Sequence, residues 1–202
     1  MMATTTGLRQ RKKERTARAI MDAVLESIRG QGYEHTTVEE IVSMVEVSQP
    51  TFYNYFGSLD DVLARIATEI MDDWAREAHS KALPRASVRG ILRARYRALA
   101  QAITEDPTLW RAIFMADALN PYRKPEQRHP DLAMEKIQQA SIERGRKNGE
   151  INRSYSAVFL SRNLDAMQFS IAMDWCMGDQ KESLRTRLDR GLDLFLRGAG
   201  TP

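Results

Sequence analysis

Ala17, Ile20, Met21, Val24, Leu25 and Ile28 recur every three or four positions, which predicts one amphipathic helix stopped by Gly30 and Gly32. In "TTVEEIVSMV", Thr37 and Glu40 have the spacing of a capping box, and Val38, Ile41, Val42 and Val45 form the buried face of a short helix. Only Glu46 and Val47 separate it from Ser48, which with Thr51 predicts another helix start. Pro50 suits that first turn because proline there sacrifices no intrahelical bond. This second short helix is expected to end at Gly57. Ser58 then caps a longer one, with Asp60 and Asp61 where the macrodipole favours acids, and with Leu59, Val62, Leu63, Ile66, Ile70 and Trp74 as its apolar positions. Two short helices joined by a tight turn cannot bury themselves, and packing both on the first helix gives a helix-turn-helix.

The rest of the chain keeps the helical period. A helix is predicted over 87–104 after Pro84, and Asp106-Pro107 opens another holding Leu109, Trp110, Ile113 and Phe114. "NPYRKPEQRHP" reads as a loop, and Asp131 starts a helix that ends near Gly149. Helices over 154–177 and 184–197 close the chain, separated by Gly178 and Asp179, and there is no internal repeat. The expected fold is all-α, about nine helices: an N-terminal three-helix helix-turn-helix domain over 1–57 and a C-terminal helical domain over 58–202.

Composition adds that the chain reads as a cytoplasmic globular protein, 43% hydrophobic and 28% charged. No apolar run reaches the roughly 18 residues of a membrane span, and the N-terminus lacks the apolar stretch of a secretory signal. Cys176, the single cysteine, excludes an internal disulfide and suits a reducing compartment. The net charge of +3 hides an uneven layout. Residues 9–18 hold Arg9, Arg11, Lys12, Lys13, Arg15 and Arg18 against Glu14 alone, whereas residues 31–65 hold Glu34, Glu39, Glu40, Glu46, Asp60 and Asp61 against Arg65. Such an arm is either a solvated helix start or a contact for nucleic acid.

Chemistry is concentrated in "VSQPTFYNYFGS". Phe52 and Phe56, four apart, continue the apolar face begun by Val47 and are expected in the core. Pro50, Thr51 and Asn54 fall on the opposite face, with Gln49, Tyr53 and Tyr55 on the flanks. That set suits a duplex: an amide for adenine edges, a proline ring and threonine methyl for thymine methyls, and phenols for phosphates. It equally suits an ordinary surface whose tyrosines pack over neighbouring helices. His35, His79 and His129 are scattered without metal-ligand spacing, and no glycine-rich phosphate loop follows a strand, so no enzyme, cofactor or metal site is expected.

"TTVEEIVSMVEVSQPTFYNYFGSLDDVL" resembles the DNA-binding region of the TetR family of bacterial transcriptional repressors, with similarity over roughly 17–70. The resemblance implies a recognition helix at 49–56. In it Gln49, Pro50, Thr51 and Asn54 read bases, Tyr53, Tyr55 and Thr37 meet phosphate, and Ser48 caps the helix at the same surface. Family members often have glycine where Glu46 stands, so the turn is expected to hold Glu46 in a conformation that costs a non-glycine residue about 1 kcal/mol. They usually carry lysine where Leu59 stands. With no Lys or Arg in the recognition helix, phosphate neutralisation falls on Arg11, Lys12, Lys13 and Arg15 of the arm.

For the second domain the family implies a cavity for a small, largely apolar effector, and Trp74, Tyr96, Trp110, Phe114, Asn163 and Met167 are its candidate lining. Asp117 and Asp165 also interrupt apolar patterns there; each of these residues has the competing role of ordinary core or edge. The family's last two helices form a four-helix bundle with a second copy, which makes Leu164, Ile171, Trp175, Leu188, Leu192 and Phe195 candidate dimer contacts, with Cys176 close by. The reading is a homodimeric repressor released from a palindromic double-stranded operator by an effector. A DNA-binding protein without an effector, a nucleoid-type binder and a helical interaction module are the alternatives.

Overall fold

Residues 4–81, 87–119 and 132–199 are described in the computed structural model, and among them the chain forms nine α-helices, one 3-10 turn and no strand. Pro84 and the three-proline loop lie outside the described residues. Two compact units are present, Met1–Ala67 with Ala112–Arg128 and Thr68–Arg111 with His129–Pro202. Their boundaries at Ala67/Thr68 and Arg111/Ala112 fall within helices.

In the first unit, α1 spans Thr4–Gln31 and buries Ile20, Met21, Ala23, Val24 and Ile28. It begins well before the first apolar position of the sequence pattern, so the cationic arm is itself helical. Gly32, at φ 88°, breaks the helix in a conformation open to glycine, and a 3-10 turn follows at Tyr33–His35. A small buried polar knot fixes this exit: Ser27 and Thr36 hydroxyls lie 2.9 Å apart, and Thr36 Oγ1 donates to the Gly32 carbonyl. Gln31 Nε2 donates to Glu40 Oε2 at 2.5 Å and to Ser27 Oγ at 3.2 Å, tying α1 to the next helix.

That helix, α2 (Val38–Val45), starts as its sequence predicts, with Thr37 Oγ1 accepting from the Glu40 amide at 3.3 Å. The reciprocal half of the expected capping box is replaced, because the Glu40 carboxylate accepts from Gln31 instead. Helix α3 (Gln49–Tyr53) follows and packs on α2, which packs on α1. Helix α4 (Leu59–Lys81) opens with the Asp61 amide donating to Ser58 Oγ at 3.2 Å, and buries Val62, Leu63, Ile66 and Ala67.

The second unit is assembled from α5 (Val88–Glu105), the start of α6 (Pro107–Leu119), α7 (Leu132–Lys147), α8 (Ala157–Met177) and α9 (Leu184–Ala199). Serine or aspartate caps recur: Ser87 accepts from the Gly90 amide, Asp106 from Leu109, Ser156 from Phe159 and Ser183 from Thr186. Helix α9 packs on α5 and α8, and α7 packs on both α8 and α5. Arg93 reaches across from α5 to Asp193 at 2.8 Å and Asp189 at 3.4 Å. None of the described helices is long and apolar enough to cross a membrane.

Close approach of α5 and α7 depends on Gly145, where an added Cβ would lie 2.6 Å from Val88 Cγ2 and 2.8 Å from Ile151 Cγ1. Val88 and Ile151 are buried, and a β-branched valine has little rotamer freedom with which to yield. Gly145→Ala is therefore expected to destabilise the protein by about 1–3 kcal/mol in urea unfolding, despite alanine's better helix propensity.

Candidate functional site

Position 46 sets the angle between α2 and α3. Glu46 adopts φ 54°, ψ 44°, the left-handed conformation expected of the turn, and its amide donates back to the last turn of α2. The Val47 amide donates to the Val42 carbonyl at 3.0 Å, which closes the helix end in the manner of a Schellman motif. Ser48 then caps α3: its Oγ accepts from the Thr51 amide at 3.3 Å and lies 2.9 Å from Thr51 Oγ1.

Helix α3 proves shorter than the sequence pattern suggests. Regular helix ends at Tyr53, with Asn54 as C-cap, although the Phe56 amide still donates to the Phe52 carbonyl at 3.0 Å. The reason lies in burial: Phe52 is fully buried, whereas Phe56, expected in the core, is half-buried and leaves the following turn weakly held. Phe52 meets Tyr53 edge-on, with ring centroids 5.4 Å apart. Gln49, Pro50 and Asn54 are exposed, Thr51 and Tyr55 half-buried, and Tyr53 is 53% exposed. Thr37 and Ser48 also reach solvent, their hydroxyls engaged in capping.

The arm residues Arg11, Lys12, Lys13 and Arg15 are all exposed along α1, ahead of its first buried residue, Ile20. Beside the start of α4 an open groove of about 390 Å³ is lined by Tyr33, Tyr53, Gly57, Leu59 and the acids Glu34 and Asp60, among others. Tyr33 Oη donates to Asp60 Oδ1, which locks the 3-10 turn to α4. Leu59 is half-buried in this groove and brings no charge to it.

In the second unit Tyr96 is buried and donates to the Leu164 carbonyl at 3.4 Å; burial pushes its phenol above the ordinary tyrosine range. Trp110 is buried there too, while Phe114 belongs to the first unit. Asn163 is exposed and donates to the Phe159 carbonyl, Met167 is half-buried, and the side chains of Trp74 and Asp117 lie outside the described residues.

A polar cluster appears in the second unit, around Gln138. Its Nε2 donates to the Ser161 carbonyl at 3.1 Å, to Ser161 Oγ at 3.0 Å and to Asp165 Oδ1 at 2.7 Å, while Arg95 donates to its Oε1. Arg95 also lies 3.8 Å from Asp165. Of this group the sequence pattern singled out only Asp165. A glutamine in register with Ile142 and Gly145 on the buried face of α7 was the signal available for Gln138. Among the described residues no group of three or more His, Cys, Asp or Glu could hold a metal ion.

Of the residues expected at a dimer interface, four are enclosed within one chain and two are not. Leu164, Trp175, Leu188 and Leu192 are buried within a single chain and have no surface left to offer, while Ile171 and Phe195 are half-buried. The exposed apolar residues on α8 and α9 are Val158, Phe159, Met177 and Leu194, the last 70% exposed. Cys176 is buried, which raises its thiol to about 11 and disfavours the reactive thiolate.

A short capped helix set by a fixed turn against a second, with its polar side chains turned to solvent, defines a helix-turn-helix protein. Residues 20–66 match the family model for bacterial regulatory proteins of the tetR family. Over 56 residues the chain is 50% identical to the HTH-type transcriptional regulator TcmR of Streptomyces glaucescens, a match covering 28% of this chain and only 25% of TcmR. Over these residues the chain is similar to the DNA-binding region of tetR-family regulators. Its fold is similar to that of Thermus thermophilus FadR, a TetR-family repressor solved with lauroyl-CoA (TM-score 0.78, 23% identity, 92% of this chain and 96% of that one). It is also similar to Bacillus subtilis FadR, solved with stearoyl-CoA (TM-score 0.70, 20% identity, 89% and 97%).

Glu46 is the strained point of this motif. Glu46→Gly is expected to stabilise the protein by about 0.5–1 kcal/mol in thermal or urea unfolding, the relief of the left-handed Cβ clash exceeding glycine's added chain entropy.

Proposed function

We propose that the protein is a homodimeric transcriptional repressor that binds a palindromic DNA operator and is released from it by a small-molecule effector. The observation that carries this reading is the exposed row of Gln49, Pro50 and Asn54 on a helix anchored by the buried Phe52. Amide and apolar groups of this kind read adenine edges and thymine methyls in the major groove. Tyr53 and Tyr55 flank them at the height of the phosphates. Without a cation in α3, neutralisation of the backbone falls to Arg11, Lys12, Lys13 and Arg15.

Val158, Phe159, Met177 and Leu194 give the last two helices an apolar surface suited to a second copy. A two-fold dimer would place two recognition helices on successive major-groove turns. The effector reading rests on the second unit, where Arg95, Gln138, Ser161 and Asp165 put polar groups among apolar helices. Two structural neighbours hold acyl-CoA molecules, so a largely apolar acyl thioester is the first effector class to try. Binding would favour a form whose DNA heads are wrongly spaced, with α4 as the lever.

Offered random duplex DNA, the purified protein should enrich a two-fold symmetric motif with half-sites about one helical turn apart, and lauroyl-CoA should weaken its hold on that motif. Replacing Lys12, Lys13 and Arg15 by glutamine should then lower the slope of log affinity against log salt by up to about 2.7 per protomer, or about 5.4 for the dimer. Enrichment of no motif would overturn the proposal, and an unchanged slope would remove the arm from it.

A further inference from the structure

Glu39 is the second residue of α2, exposed, and acidic at a surface that the proposed function turns toward the polyanionic duplex. Electrostatics alone disfavours a carboxylate there. Yet it does not point idly into solvent: its Oε1 accepts from Gln49 Nε2 at 3.0 Å, linking α2 to the first residue of α3. Among the described residues this is the hydrogen bond that holds the Gln49 side chain.

The consequence follows from the donor inventory. A carboxylate only accepts, so the NH₂ end of the Gln49 amide must face Glu39, and the amide cannot rotate by half a turn without losing the bond. One of its two N–H groups is then engaged. The carbonyl oxygen and the second N–H remain, and these are the pair that adenine takes through N6 and N7. A free glutamine would instead sample several rotamers and both amide orientations, at an entropic cost on binding.

We propose that Glu39 is a specificity-determining positioning residue. It pre-sets Gln49 for one base pair in each half-site, at some expense of general affinity for DNA. This rests on the DNA-reading function proposed above. Discrimination gained through a locally repulsive group is a recognised form of specificity, since the carboxylate weakens all duplexes alike while its bond to Gln49 favours one.

The test uses the full-length protein, random duplex DNA, and the variants E39A, Q49A and E39A/Q49A. Both side chains are exposed, so all three variants should fold, which circular dichroism checks directly. E39A should lose discrimination by roughly five- to a hundredfold at one base pair per half-site, the same one that Q49A loses. The double variant should lose no more than Q49A, and E39A should bind random-sequence DNA more tightly than the unmodified protein. A motif that survives E39A intact while Q49A erases one position would overturn this proposal alone. Equal loss at every position of the motif in E39A would also overturn it, because that is the signature of a displaced α3. If the unmodified protein enriches no motif, the DNA-reading function falls and this inference with it.

Discussion

A five-residue helix has almost no stability of its own in water, because nucleating the first turn fixes several dihedrals for a single hydrogen bond. Helix α3 exists only because Phe52 is fully buried in the first unit and because Ser48 satisfies its N-terminus. Burial of one phenyl side chain removes apolar area worth about 1.5–3 kcal/mol from water, a scale that decides whether so short an element persists. Gln49, Pro50, Thr51, Tyr53 and Asn54 inherit their placement from that ring. So does the bond between Gln49 and Glu39, which needs α2 and α3 at a fixed angle.

The angle is set elsewhere, by a chain of small polar contacts. Ser27, Thr36, Gln31 and Glu40 link the end of α1 to the start of α2, and Glu46 turns the chain between α2 and α3. These contacts are short and directional, whereas the apolar core beneath them is not. The division of labour suits a reading head: apolar burial supplies stability, and hydrogen bonds supply register. The second unit repeats the pattern at larger scale, with Gly145 permitting close helix packing and the Gln138 cluster adding direction within it.

Much of this was legible in the sequence, because caps and breakers act through local chemistry. Ser48, Ser58 and Gly32 are found where their neighbours require them, and Glu46 takes the left-handed conformation implied by the glycine that often stands there in the TetR family it resembles. What was not legible concerns burial between elements. The length of α3 was overestimated because periodicity treats Phe52 and Phe56 alike, although only the first is fully enclosed. Leu164, Trp175, Leu188 and Leu192 have the periodicity of any buried face, and a pattern along one helix does not say whether its partner is the same chain or another. Pairings such as Glu39 with Gln49, or Arg95 with Gln138, join positions far apart in sequence and follow from packing alone.

The dependence of α3 on one buried ring is most directly tested by amide hydrogen exchange in the full-length protein carrying Phe52→Ala. In the unmodified protein the Phe52, Asn54 and Phe56 amides donate to Ser48, Pro50 and Phe52 carbonyls and should be protected. The substitution, costing about 3–5 kcal/mol in a well-packed core, should abolish protection at positions 54 and 56 while the α8 amides of the second unit retain theirs. Protection that persists through α3 in Phe52→Ala would show that the helix holds itself, and would contradict the account.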